Sequence, residues 1–137
     1  MRPLVLSLAL VVLSTPVISA HAKTPEDLAK QSAKEWLELT DAGKYGQSWE
    51  KAAKLFKSSV TKKQWDAKIK AAREPLGKVI SRELQNATYA KQLPGVPDGE
   101  YVVIQYNTSF EKKKSAIETV TPMLDGTSWK VSGYFIK

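Results

Sequence analysis

The chain has 137 residues, with 21 Lys plus Arg against 14 Asp plus Glu, a formal net charge of +7, one histidine and no cysteine. Such a length fits one domain and leaves no room for two. The missing cysteine excludes disulfides, cysteine zinc or iron–sulfur sites and a thiol nucleophile.

The first 22 residues read as an export signal. Arg2 supplies positive charge, Leu4 to Leu13 is apolar apart from Ser7, and Ala20-His21-Ala22 gives the small-x-small pattern that precedes a cleavage point. The apolar stretch falls well short of the roughly twenty residues needed to span a bilayer, so no transmembrane anchor is expected after signal removal. The expectation is a cleaved signal over 1–22, one domain over 23–137, and a periplasmic or secreted destination. Cleavage removes Arg2 and no acid, so the domain stays basic. Residues 61–91 hold eight basic and three acidic groups and supply most of that excess. Such a surface attracts anions, while export argues against nucleic acid as a partner.

Thr24-Pro25-Glu26-Asp27 is a helix start: a capping hydroxyl, proline at the first helical position and two acids at the positive end of the dipole. Leu28, Ala29, Ser32, Ala33, Trp36, Leu37, Leu39 and Thr40 then share one half of a 3.6-residue wheel, and Gly43 suits the terminal turn. Trp49, Ala52, Ala53 and Phe56 predict a second helix over 47–57. Thr61 caps a third, in which Trp65, Ile69, Ala72 and Leu76 form the apolar stripe and Lys62, Lys63, Lys68, Lys70 and Arg73 flank it on both sides. Pro75 stops or kinks that helix between residues 73 and 77.

The period then changes to two. Residues 78–91 are expected as a first strand, and Leu93-Pro94-Gly95-Val96-Pro97-Asp98-Gly99 as a loop. In the strand over 100–110, Val102, Ile104, Tyr106 and Phe110 alternate with Tyr101, Val103, Gln105 and Asn107. A third strand follows over 115–124, and Asp125-Gly126 marks a hairpin. The last strand, 127–136, sets Trp129, Val131, Gly133 and Phe135 against Lys130, Ser132, Tyr134 and Ile136. The fold class expected is α+β: three N-terminal helices packed on a curved four-stranded antiparallel sheet. Tyr101, Val103, Tyr134 and Ile136 fall on the face turned from the helices. Either the sheet curls so that some of them fill an interior, or a second copy of the chain covers them as a homodimer.

Chemistry leaves a thin signature. His21 departs with the signal, so histidine-dependent serine hydrolysis lacks its base, and no glycine-rich phosphate or dinucleotide motif occurs. Glu100, Glu111, Glu118 and Asp125 lack calcium-loop spacing. No metal, cofactor or catalytic residue is expected. Glu118, between Ile117 and Val120, is the best internal acid, and Arg73 and Arg82 are the cations able to pair with it bidentately. The internal ion pair is the first expectation; a fork presented to an anionic ligand is the second. Trp36, Trp49, Trp65 and Trp129 with Tyr101, Tyr106 and Tyr134 fit core packing, and equally supply contact area for an amphiphile.

Trp65, Arg73-Glu74-Pro75-Leu76-Gly77, Ser81-Arg82, the 93–101 segment, Glu118-Thr119-Val120 and Trp129-Lys130-Val131-Ser132-Gly133-Tyr134 together resemble a bacterial family of exported proteins, domain-of-unknown-function family 4019. With Gln47-Ser48-Trp49 the likeness extends over about residues 27–137. The family carries no established catalytic residues to transfer. Its segment order is similar to the cystatin-like or nuclear-transport-factor-2-like cone, which hosts both binding proteins and enzymes. The functional expectation is a noncovalent binding or interaction domain for a small anionic or amphiphilic ligand. Its candidate residues are Arg73, Arg82, Glu118, Tyr106, Tyr134 and Trp129. The alternatives are a small hydrolase or isomerase using an acid such as Glu118, and a structural homodimer.

Overall fold

A computed structural model describes residues 12–137. Helix α1, Pro25–Asp41, starts where Thr24 and Asp27 close a capping box, each side chain bonding the other's backbone N–H at 3.2 and 3.3 Å. It buries Ala29, Ala33, Trp36, Leu37 and Thr40, the heart of the expected stripe.

The single helix expected over 47–57 is instead two short helices, α2 (Tyr45–Lys51) and α3 (Lys54–Ser59). Ala52 and Ala53 between them are extended. The sheet accounts for the break. The Ala53 N–H donates to the Val131 carbonyl at 2.8 Å, and the Lys54 N–H donates to the Asp125 carboxylate at 2.9 Å. Both alanines are fully buried, and their small side chains let the chain approach the sheet edge closely enough for these bonds. Helix α4, Lys62–Arg73, begins with a second capping box, between Thr61 and Gln64, and buries Trp65, Ile69 and Arg73. One 3-10 turn, Glu74–Leu76, carries Pro75 to Gly77. Gly77 has φ +74°, and a Cβ there would lie 3.0 Å from that of Glu111, so only glycine fits this corner.

The strands β1 (Val79–Ala90), β2 (Tyr101–Phe110), β3 (Lys113–Asp125) and β4 (Ser128–Ile136) form one antiparallel sheet in sequence order. The fold is therefore α+β, as expected, and the sheet is open, with β1 and β4 at its edges. Helix α1 reaches residues on all four strands.

Bulges correct the face assignments. Along β1 the register shifts at Ile80 and Gln85, so Arg82 and Leu84 share the helix-side face with Ala87 and Tyr89 although strict alternation would separate them. Along β4 the register shifts at Ser132, whose hydroxyl donates to the Thr121 carbonyl at 2.7 Å. Trp129 and Val131 face the helices before that bulge, and Tyr134 and Ile136 face them after it. The expectation that Tyr134 and Ile136 lie on the outer face is thus corrected. The Tyr134 ring packs 5.3 Å from that of Trp36, while Phe135 is turned outward and 54% exposed. One extra residue inverts every later side chain, which strict period-two reading cannot anticipate.

Ser48 ties the helices together. Its carbonyl accepts from the Trp36 indole at 2.8 Å and its hydroxyl from the Trp65 indole at 2.9 Å. With Phe56 and Tyr134 these rings form one aromatic cluster. Residues 12–22 lie outside helix and strand and are exposed. Arg2 and most of the apolar run of the expected signal lie outside the described residues. Among the described residues no helix is long and apolar enough to cross a membrane.

Candidate functional site

Four of the six candidate residues meet in one place. The Glu118 side chain has no solvent exposure. Arg82 donates to it from Nε at 2.7 Å and from Nη2 at 3.3 Å. Thr108 donates from its hydroxyl at 2.5 Å, and the Tyr134 hydroxyl donates to Oε2. Cross-strand register produces this convergence, because Arg82 lies opposite Thr108 in the β1–β2 pair and Val120, beside Glu118 on the same face, lies opposite Tyr134 in the β3–β4 pair.

Arg82 also reaches the Asp41 carboxylate, from Nη1 at 2.8 Å and Nη2 at 3.0 Å. Asp41 accepts in turn from Arg73 Nη2 at 2.7 Å, and Arg73 Nη1 donates to Thr40 at 3.2 Å. Arg73 is buried against the Phe110 ring, 5.1 Å from its centre, and its Nε has no hydrogen-bond partner among the described residues. The expected arginine–Glu118 pair therefore belongs to Arg82, whereas Arg73 pairs with Asp41. Two cations and two anions alternate, so the cluster is close to neutral, and charges this buried are held only because they are paired.

The electrostatics follow from that packing. Burial pushes the Asp41 carboxyl up, but hydrogen bonds and charge from Arg82 and Arg73 outweigh it and leave it below the usual carboxylate range. Burial also disfavours the Arg82 cation, and Asp41 and Glu118 reverse the effect, holding Arg82 above the normal arginine range. The Tyr134 phenol is driven well above its ordinary value by burial and by the Glu118 charge, so it stays protonated and donates.

Asp41, Thr40 and Thr108 were not singled out by sequence. A usable signal existed for Asp41: it is an acid in the last turn of α1, where the helix dipole disfavours it and no basic residue accompanies it. Such an acid calls for a cation from elsewhere in the fold.

Tyr106 lies outside the cluster but beside it. An open groove of about 450 Å³ runs between α1 and the β1–β2 pair, lined by Lys30, Lys34, Leu37, Glu38, Arg82, Leu84 and Tyr106. Leu84 sits opposite Tyr106 on the helix-side face, yet it is 46% exposed, with no helix over it among the described residues. Tyr106 is 8% exposed, forms no side-chain hydrogen bond among the described residues, and has its phenol pushed up to about 12, by burial before any charge effect. Lys30 approaches Asp27 at 3.9 Å, whereas Lys34 forms no ion pair among the described residues. Trp129 is brought to neither place. It is half-buried against the core and lines a separate cleft with Ser32, Trp36 and Leu39, where Ser32 donates to its carbonyl at 2.8 Å. Among the described residues no group of three His, Cys, Asp or Glu side chains is placed to hold a metal ion.

An α+β sheet-and-helix domain with a buried ion-pair cluster beside an amphipathic groove is the class that fold and site define. The family model described as protein of unknown function (DUF4019) matches residues 32–134. The chain belongs to that family, and the match spans α1 from its second turn through most of β4. No curated protein is similar enough in sequence to stand as a relative.

Proposed function

We propose that the chain is a noncovalent binding domain whose ligand is a small amphiphile with one anionic group, held in the groove between α1 and β1–β2. The observation that carries this reading is Leu84, an apolar side chain left open in one groove with Lys30, Lys34 and a Tyr106 hydroxyl that has no hydrogen-bond partner among the described residues. The groove's volume falls within the roughly 300–1,000 Å³ usual for small-molecule sites. Leu37, Leu84 and Tyr106 supply apolar contact, Tyr106 a directed donor, and the lysines the charge. Arg82 lines the same groove but is committed to Asp41 and Glu118, so it orients the wall and carries little free charge. With Glu38 also at the rim, the uncompensated positive charge is small, which favours a single anionic head over a polyanion.

The same reading places the domain outside the cytoplasm after loss of residues 1–22. The capping box at Thr24, immediately beyond that segment, supports 23–137 as the folding unit. A cystatin-like cone is compatible with the order of elements and belongs to the proposal. Glu118 supports a structural role over a catalytic one, because three donors and full burial leave it no access to a substrate.

Calorimetric titration with decanoate, decylammonium and decanol tests the reading. Decanoate is expected to bind best, Lys34→Glu to reverse the preference between the two ions, and Leu84→Asp to abolish binding without loss of fold. Equal binding of decanoate and decylammonium, or an unaffected Leu84→Asp variant, overturns it.

A further inference from the structure

The free edge of β4 carries a second, independent feature. Ile117 and Lys137 exchange both backbone hydrogen bonds, at 3.1 and 2.9 Å, so they form a hydrogen-bonded antiparallel pair. Such pairs alternate along a ladder with pairs whose N–H and C=O groups point away from each other. In the β3–β4 register, Thr119 and Phe135 are therefore bonded to each other, while the Tyr134 and Ile136 backbones point outward from the sheet. Among the described residues no backbone hydrogen bond outside the ladder reaches Tyr134 or Ile136. Further back on the same edge the position is filled, since the Val131 carbonyl accepts from Ala53. The open part thus begins just after the bulge at Ser132 and runs to the end of the strand.

Beside this open edge lies a groove of about 250 Å³ lined by Trp65, Lys68, Ile69 and Ala72 of α4 and by Tyr134, Phe135 and Ile136 of β4. Its floor is apolar, and among the described residues its one charged lining residue is Lys68, which forms no ion pair with any of them. Unpaired ladder groups beside pockets for alternate side chains are the ingredients of strand addition. Edges of this kind are normally blocked, as β1 is by its two bulges.

We propose that the outer edge of β4 accepts an extended segment of a partner protein that pairs with Tyr134 and Ile136, sets an apolar side chain over Ile69 and Ala72, and offers an acidic residue to Lys68. Charge decides between occupants. A second copy pairing edge to edge would bring two basic chains together and set one Lys68 groove against another, whereas an acidic segment meets Lys68 favourably.

The test uses the full chain and two capped peptides, one alternating valine with aspartate and the other valine with lysine. Amide resonances of Tyr134 and Ile136 should shift with the acidic peptide and not with the basic one. Because the Ile136 N–H points outward, Ile136→Pro removes a docking bond while leaving the β3 ladder intact, and proline is tolerated at such an edge position. That variant should still unfold in one cooperative transition and bind the acidic peptide about tenfold more weakly, roughly the loss of one net hydrogen bond. Lys68→Glu should exchange the preference between the peptides. Absence of binding, equal binding by Ile136→Pro, or a dimer of the chain that disappears in Ile136→Pro would each overturn the proposal.

Discussion

At Glu118 three donors surround a carboxylate with no route to water, and the whole arrangement depends on its charge. Replacing it with alanine leaves Arg82 half-paired and buried, and a broken buried pair typically costs about 3–5 kcal/mol. Urea denaturation of Glu118→Ala should show a loss of that order, and a loss below about 1 kcal/mol would mean the cluster is far better solvated than its burial implies. Asp41 sets the acid side of the stability profile. Its folded pKa lies below its unfolded value, so its contribution is complete above the unfolded pKa and disappears as pH falls through the folded one. Asp41→Asn should be less stable at neutral pH and should flatten the acid limb of stability against pH. Tyr106 acts at the other end. Its pKa rises from 10.0 to about 12, so its contribution is complete below 10 and is lost as pH climbs towards 12. Tyr106→Phe should therefore unfold less steeply above pH 10 and differ little at neutral pH, because no hydrogen bond within the fold is lost. A large neutral-pH cost would reveal a partner for that hydroxyl.

Among the elements, α3 shows how a helix this short is kept. Six residues cannot sustain a helix alone, and α3 has no cap from its own N-cap residue, Ala53. The cap comes instead from Asp125 at the end of β3, which accepts from the Lys54 N–H. Asp125→Ala should cost about 1 kcal/mol, in the range of ordinary N-cap losses, and should speed amide exchange in α3 before it affects α1. Uniform acceleration across both helices would show that the cap is not local. The bulge at Ser132 is the opposite kind of device, one residue deciding an entire strand end. Deleting it would turn Tyr134 outward and Phe135 inward, removing both the Trp36–Tyr134 contact and the Glu118–Tyr134 bond.

For the molecule as a whole, the ion-pair cluster joins the C-terminal ends of α1 and α4 to β1, β2, β3 and β4, while Ser48 joins α2 to α1 and α4. Elements linked through one core are expected to unfold together. Tryptophan fluorescence and far-ultraviolet circular dichroism should then report coincident denaturation midpoints, and a separate early transition in fluorescence would show that the helical layer detaches from the sheet. The two candidate surfaces lie at opposite sheet edges, yet each borrows a residue from the same cluster, Arg82 in one groove and Tyr134 in the other.

The order of helices and strands was legible from the sequence because it rests on local chemistry. Thr24 and Thr61 cap, Pro75 and Gly77 break, and periods of 3.6 and 2 mark the apolar faces. An arginine partner for Glu118 was legible too, since an acid within an apolar strand needs a cation, but whether Arg73 or Arg82 supplies it was not. The division of the second helix, the exchange of faces after Gln85 and Ser132, and the choice of Asp41 as partner to both arginines were decided only by tertiary structure. Each depends on groups far apart in the chain: a sheet edge offering a carbonyl to Ala53, a neighbouring strand accommodating an extra residue, a helix end placed beside two guanidiniums. Local propensity carries no information about such distances, and the exposed Leu84 and the open edge at Tyr134 and Ile136 come into view only once the chain has folded around them.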